Sequence, residues 1–225
     1  MARLVLWDID HTLIDTRGVG RELSAAAFEE TLGQSMRRQA RIDGITEPVI
    51  FRETAKLHGL ATDRADFERF AHALADGHVR RAADLRERGH ALPGAATALD
   101  ALDAVGVRQT VVSGNIRPVA QTKLSVFGLD QHIIWELGAF GEDDDVRAEL
   151  VRLCLRRAGT AASDAVLIGD TPADVEGAHA NGVRVIAVAS GRSDEATLRG
   201  AGAETVLSDL CDTEPLVKLV RGDGQ

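Results

Sequence analysis

A chain of 225 residues, 44% apolar and 27% charged, has the balance of an ordinary globular protein and the length for one large domain carrying an insert. Its 35 acidic against 26 basic residues leave a formal charge of −9, which disfavours nucleic acid, because phosphate backbones demand Lys/Arg density. No apolar run approaches the roughly 20 residues of a membrane span, Asp8 comes too early for a signal peptide, and Cys154 and Cys211 make neither a disulfide framework nor a metal spacing, so a soluble cytoplasmic protein, monomer or homodimer, is expected.

The first predicted strand is Leu4–Trp7. Residues 16–90 then lack any strand run; Ala26-Ala27-Phe28, Val49-Ile50-Phe51 and Phe67, Phe70, Ala71 and Leu74 recur at helical spacing. Arg17-Gly18-Val19-Gly20 opens this segment and Leu92-Pro93-Gly94 closes it, both as hinges. Beyond it, predicted strands at 107–113, 133–137, 165–168, 183–188 and 205–207 alternate with helical patterns at 94–105, 118–127, 145–158, 173–181 and 193–200. Gly106, Gly128, Gly159 and Gly182 stand just past helical stretches, where a left-handed cap belongs. The alternation predicts an α/β fold: a doubly wound, Rossmann-like parallel sheet formed by residues 1–15 and 91–225, with an all-helical cap at 16–90. The tail 221–225 reads as frayed.

Open α/β sheets bind ligands at the carboxyl ends of their strands. Those ends carry Asp8-Ile9-Asp10-His11-Thr12-Leu13, Ser113-Gly114-Asn115 and Gly169-Asp170-Thr171-Pro172-Ala173-Asp174. Asp8, Asp10, Asp170 and Asp174 thus converge on one edge, and like charges so close call for a cation. A hard divalent ion with oxygen ligands, Mg²⁺, answers that need and can hold a phosphate oxygen among carboxylates. One free carboxylate can attack phosphorus, and a second, two residues along, can exchange a proton with the leaving group.

These segments resemble the motifs of the haloacid dehalogenase-like superfamily, in particular its phosphoglycolate-phosphatase-like hydrolases with a helical cap. The resemblance spans nearly the whole chain and implies a phosphatase acting on a small phosphorylated metabolite. It implies that Asp8 is the nucleophile and that Asp10 is the general acid and then base, with its backbone carbonyl on Mg²⁺. Thr12 would support the loop, Ser113, Gly114 and Asn115 would hold phosphate oxygens, Asp170 would complete the metal site, and Asp174 would be a ligand or the partner of one.

Two positions depart from the family pattern. His11 replaces the usual glycine and is read either as a substrate contact or as a tolerated loop residue. The family's third motif, a cation beside the nucleophile, lacks its usual lysine; Arg147 is the first substitute by position and Lys123 the other. Asp10 argues against a dehalogenase, which needs no acid for its leaving group, and the cap's Lys56 reads as solvent-facing rather than as a Schiff-base lysine. A sugar-phosphate mutase is the enzymatic alternative, and a non-catalytic binding homologue a further one. In the cap, the segment Asp43-Gly44-Ile45-Thr46-Glu47-Pro48 followed by Arg52 resembles a substrate-facing loop. There Gly44 would admit a close backbone approach, and Arg52 would meet a second anionic group such as a carboxylate.

Overall fold

The computed structural model describes residues 3–222. β1 (Leu4–Trp7) is buried at all four positions, as expected of a strand covered on both faces. A tight turn leads to β2 (Ile14–Asp15), and the chain then leaves the sheet for α1 (Val19–Leu32), α2 (Glu47–Leu57), α3 (Arg64–Arg80) and α4 (Ala82–Arg88). It returns through β3 (His90–Ala91), which pairs antiparallel with β2. One short ribbon therefore ties the entry and exit of the helical segment. From there α5 (Ala95–Ala104), β4 (Arg108–Val111), α6 (Arg117–Val126), α7 (Arg147–Ala158), β5 (Ala165–Gly169), α8 (Pro172–Ala180), β6 (Arg184–Val188), α9 (Glu195–Gly200), β7 (Thr205–Leu207) and α10 (Thr213–Arg221) follow in order.

The main sheet is parallel, in the order β4-β1-β5-β6-β7. Alternate side chains feed two cores. Val5, Trp7, Val166 and Ile168 pack with Leu99 of α5, Leu124 of α6 and Leu216 of α10. Leu4, Leu6, Leu167 and Val185 pack on the other face with Leu150 of α7 and Val175 of α8. Helices thus cover both faces, the doubly wound arrangement that the alternation predicts. The four inserted helices build a third core around Phe28, Phe51, Phe70 and Leu74, which extends to Ile116 and Val119 at the start of α6. Phe51 and Phe70 stack with centroids 4.5 Å apart, and full burial of each such ring contributes about 1.5–3 kcal/mol. Among the described residues, no helix is long and apolar enough to cross a membrane.

The structure corrects the sequence reading in two places. Residues 133–137 are not a strand: Trp135–Leu137 is a 3₁₀ turn, and the backbone meets the sheet edge in isolated bridges, Ile133 with Gln109 and, just beyond the segment, Ala139 with Val112. The Thr110 hydroxyl donates to the Ile134 carbonyl at 2.8 Å, occupying an acceptor that a continuous ladder would use. The second correction is α10, which runs to Arg221 with Gly222 as its left-handed cap. Its Leu216 and Val220, one turn apart, are buried. Of the tail expected to fray, only residues 223–225 lie outside the described residues.

Candidate active site

The turn after β1 is built around the Ile9 carbonyl, which accepts from the backbone N–H groups of Thr12, Leu13 and Ile14. So tight a turn forces a left-handed residue, and His11 takes that conformation with φ 64°, where glycine would be unstrained. Asp8 and Asp10 flank Ile9, and their side chains line one cavity. The Thr12 hydroxyl is buried and donates to Asp170 Oδ1 at 3.1 Å, linking this loop to the end of β5.

Each aspartate of the pair meets its own cation. Arg147, at the start of α7, donates from Nη2 to Asp8 Oδ1 at 2.6 Å and from Nε to Asp174 Oδ1 at 2.8 Å. Lys123, on α6, donates from Nζ to both Asp10 oxygens at 2.7 Å and to Asn115 Oδ1 at 2.8 Å. Asn115 in turn donates from Nδ2 to Asp10 Oδ2 at 2.7 Å and to Ser113 Oγ at 2.8 Å. The two residues read as competitors for one role therefore occupy different places, Arg147 at Asp8 and Lys123 at Asp10.

Asp8, Asp170 and Asp174 are buried, and each offers an oxygen within 4.8 Å of the others. Burial, followed by the Asp174 charge, pushes the Asp8 carboxyl up to about 7. Burial and the Asp8 charge push Asp170 up to about 9. Burial also works upward on Asp10, but Lys123 and Asn115 outweigh it and hold that carboxyl below the usual range. Asp174 has its second oxygen occupied as well: Thr171 Oγ1 and backbone N–H donate to Oδ2 at 2.7 and 3.1 Å, which caps α8. Asp170 faces Gly191, where a Cβ would fall 1.8 Å from Asp170 Oδ2. Only glycine fits there.

The cavity at these strand ends has a volume of about 160 Å³. Its walls include Ser113, Gly114 and Asn115 from the core, and Gly44, Glu47 and His78 from the inserted helices. Gly114 is squeezed against the inserted segment: a Cβ there would fall 2.3 Å from the Ile45 carbonyl oxygen, and the Glu47 N–H donates to the Gly114 carbonyl at 2.8 Å. Gly44, with φ 69°, makes its close approach to the core, where a Cβ would meet that of Ala173 at 2.5 Å. Thr46 is buried at the start of α2 and donates from Oγ1 to the Asp145 carbonyl at 3.3 Å. Arg52 is not among the cavity's lining residues; its guanidinium pairs with Asp145 at 3.0 Å on the outer side. Lys56 is exposed and pairs with Glu53.

Two cavity residues escape the sequence reading as site residues. Glu47, quoted there only within a loop, is partly buried, and burial pushes its carboxyl up to about 7. His78 is buried within α3, and burial drives its imidazole down to about 4. A polar residue at the start of a helix and a histidine on a mostly apolar face carry no local signal of a shared cavity.

The comparisons with known proteins extend over the same span. The model of the haloacid dehalogenase-like hydrolase family matches residues 5–179, and a second, HAD-hydrolase-like model matches residues 147–213. A phosphoglycolate phosphatase of Rhodospirillum rubrum is 28% identical over 219 residues, covering 93% of this chain and 88% of its own. Among solved structures, a hydrolase from Pseudomonas syringae superposes with a TM-score of 0.72 at 21% identity, covering 98% of this chain and 99% of its own. A haloacid dehalogenase-like family hydrolase from Streptococcus pneumoniae gives 0.66 at 14% identity, with 96% and 98% covered. At these identities the two structures speak for the fold. With more than half of its length matched by the family model and the strand-end aspartates in place, the chain belongs to the haloacid dehalogenase-like hydrolase family.

Proposed function

We propose that the chain is a Mg²⁺-dependent phosphatase of small phosphomonoesters, with residues 16–90 acting as a cap over a core of residues 1–15 and 91–225. The observation that carries this reading is the pair of carboxylates two residues apart on one cavity, Asp8 met by Arg147 and Asp10 by Lys123. The phosphoglycolate phosphatase among the relatives adds support, and the small cavity suits a metabolite rather than a polymer.

The donor set fits the metal. Asp8, Asp170 and Asp174 supply only oxygen and are buried together; Asp8 and Asp174 share the guanidinium of Arg147, and among the described residues Asp170 pairs with no cation. That chemistry suits a hard divalent ion. Asp8 and Asp170, with the Asp10 backbone carbonyl, would hold Mg²⁺, while Asp174 orients Arg147. When bound, the ion supplies positive charge that lets phosphate oxygens approach the carboxylates.

Asp8 attacks phosphorus, and the bond from phosphorus to the leaving oxygen breaks as that oxygen takes a proton from Asp10, which takes up that proton together with the ester, because Lys123 and Asn115 keep it a carboxylate in the free chain. Arg147 draws on its fork geometry to hold the nucleophile and to accompany the transferring phosphoryl group. Asp10, now a carboxylate, takes a proton from water; the water oxygen bonds to phosphorus and the Asp8–phosphoryl bond breaks. Lys123 and Asn115 fix the orientation of Asp10, and Ser113 and Asn115 offer donors to phosphate oxygens.

Asp8→Asn is expected to abolish phosphate release from p-nitrophenyl phosphate, and EDTA to do the same to the wild type. Undiminished turnover in the variant would refute the nucleophile. A hexose 1-phosphate that returns an isomerised sugar phosphate in place of free phosphate would assign the mutase instead.

A further inference from the structure

The cavity wall facing the aspartates comes from α1, α2 and α3, and it carries polar groups that phosphoryl transfer leaves unused. His78 is 2% exposed. Its Nδ1 lies 2.9 Å from the Leu74 carbonyl, an acceptor, so the ring proton sits on Nδ1 and Nε2 presents a lone pair. That Nε2 is buried and has no partner among the described residues. Glu47 lines the same cavity, and no hydrogen bond to its carboxylate occurs among the described residues. A buried acceptor left open like His78 Nε2 is costly until a donor arrives, and the partly buried Glu47 carboxylate faces the same space.

The neighbouring charges decide what kind of donor fits. Lys123 is spent on Asp10 and Asn115. Asp43 on the same wall faces Arg192 at 3.5 Å. Arg21, the remaining cation of that wall, is exposed, so its attraction for an anion is screened by water. Arg52, the residue expected to greet a second anionic group, points away to Asp145.

We propose that Glu47 and His78 select the leaving group, accepting hydrogen bonds from an uncharged, hydroxyl-bearing alcohol portion and rejecting one that carries a carboxylate or a second phosphate. This selection rests on the phosphatase reading above. Hydroxyl groups supply the donors that the two open acceptors lack. A carboxylate brings acceptors against acceptors, and the one buried cation beside that wall, Lys123, is already spent on Asp10 and Asn115. The space of about 160 Å³ keeps the alcohol small.

The test compares kcat/KM of the full chain with Mg²⁺ on 2-phosphoglycolate against the better of glycerol 3-phosphate and ribose 5-phosphate, with p-nitrophenyl phosphate as a reference. The wild type should favour the hydroxylated ester at least about tenfold, the scale of a buried acceptor losing its donor. Glu47→Gln keeps size and removes charge, and should move the ratio about tenfold toward phosphoglycolate. His78→Phe removes the acceptor and keeps the bulk, and should move the ratio in the same direction by lowering kcat/KM for the hydroxylated ester. Activity on p-nitrophenyl phosphate without the wild-type preference, or a ratio unchanged in Glu47→Gln, overturns the selection alone. No phosphate from any ester overturns the phosphatase reading itself.

Discussion

The two walls of the cavity are built on opposite terms. On the core side every carboxylate is engaged: Asp8 by Arg147, Asp10 by Lys123 and Asn115, Asp170 by Thr12, and Asp174 by Arg147 and Thr171. On the helical side, among the described residues, His78 Nε2 is buried without a partner and the Glu47 carboxylate accepts no hydrogen bond. Groups that must hold one geometry through a reaction are fixed beforehand by neighbours. Groups that recognise a substrate keep their valences open. On the proposed function, the contrast separates chemistry from choice within a single cavity.

The largest expected effect comes from breaking the engaged side. Arg147→Ala leaves Asp174 and Asp8 as buried charges without their guanidinium, so a stability loss of about 3–5 kcal/mol is expected by denaturant unfolding, with turnover down about 10²–10³-fold. Arg147→Lys should recover less than half of either loss, because an ammonium cannot reproduce the fork that joins Asp8 to Asp174. An unimpaired Arg147→Ala protein would erase the difference between the walls.

The open side has its own signature in pH. His78 is held at about 4 when folded against about 6.5 when unfolded, so the folded state favours the neutral ring. Its contribution is intact above pH 6.5 and is lost as pH falls toward 4, amounting to roughly 3 kcal/mol. His78→Phe should flatten that part of the stability profile, measured as unfolding midpoint against pH.

Smaller effects sharpen the boundary of the engaged side. Gly191→Ala places a methyl group against Asp170, and overpacking of this kind costs about 1–3 kcal/mol; lower Tm together with a higher Mg²⁺ concentration for half-maximal turnover would report the displaced carboxylate. His11→Gly relieves a left-handed residue and should stabilise by no more than about 1 kcal/mol, with phosphate release little changed if the imidazole is a bystander.

Much of the sheet is legible in the sequence because short apolar runs such as Leu4–Trp7 and 165–168 give way within two residues to aspartate, Asp8 and Asp170, and a parallel sheet brings those ends together. The 133–137 run misleads because a short apolar segment has no period long enough to separate a strand from a 3₁₀ turn. The α10 helix is not expected from the sequence; its Pro215 lies in the first turn, where proline is tolerated. The open wall is hidden for a different reason. Glu47 and Arg52 lie five residues apart on α2, and at about 100° per residue their side chains diverge by about 140° around the helix. Only the docking of α2 against Gly114 determines which of the two faces the cavity. The basic residue that looks suited to an anion is turned out to Asp145, and the acidic one is turned in. Lys123 and Arg147 were both visible as cations of the right placement, but a linear sequence cannot show that each has its own aspartate.

The central claim is that Asp8 carries the phosphoryl group and Asp10 releases it. It is tested most directly by incubating Asp10→Asn with p-nitrophenyl phosphate and Mg²⁺, quenching in acid, and locating the phosphoryl group by peptide mass spectrometry. Nitrophenolate leaves without an acid, whereas hydrolysis needs the base, so the account predicts accumulation on the peptide containing Asp8. A phosphoryl group on another peptide, or none at all while p-nitrophenolate is released in a stoichiometric burst, would contradict it.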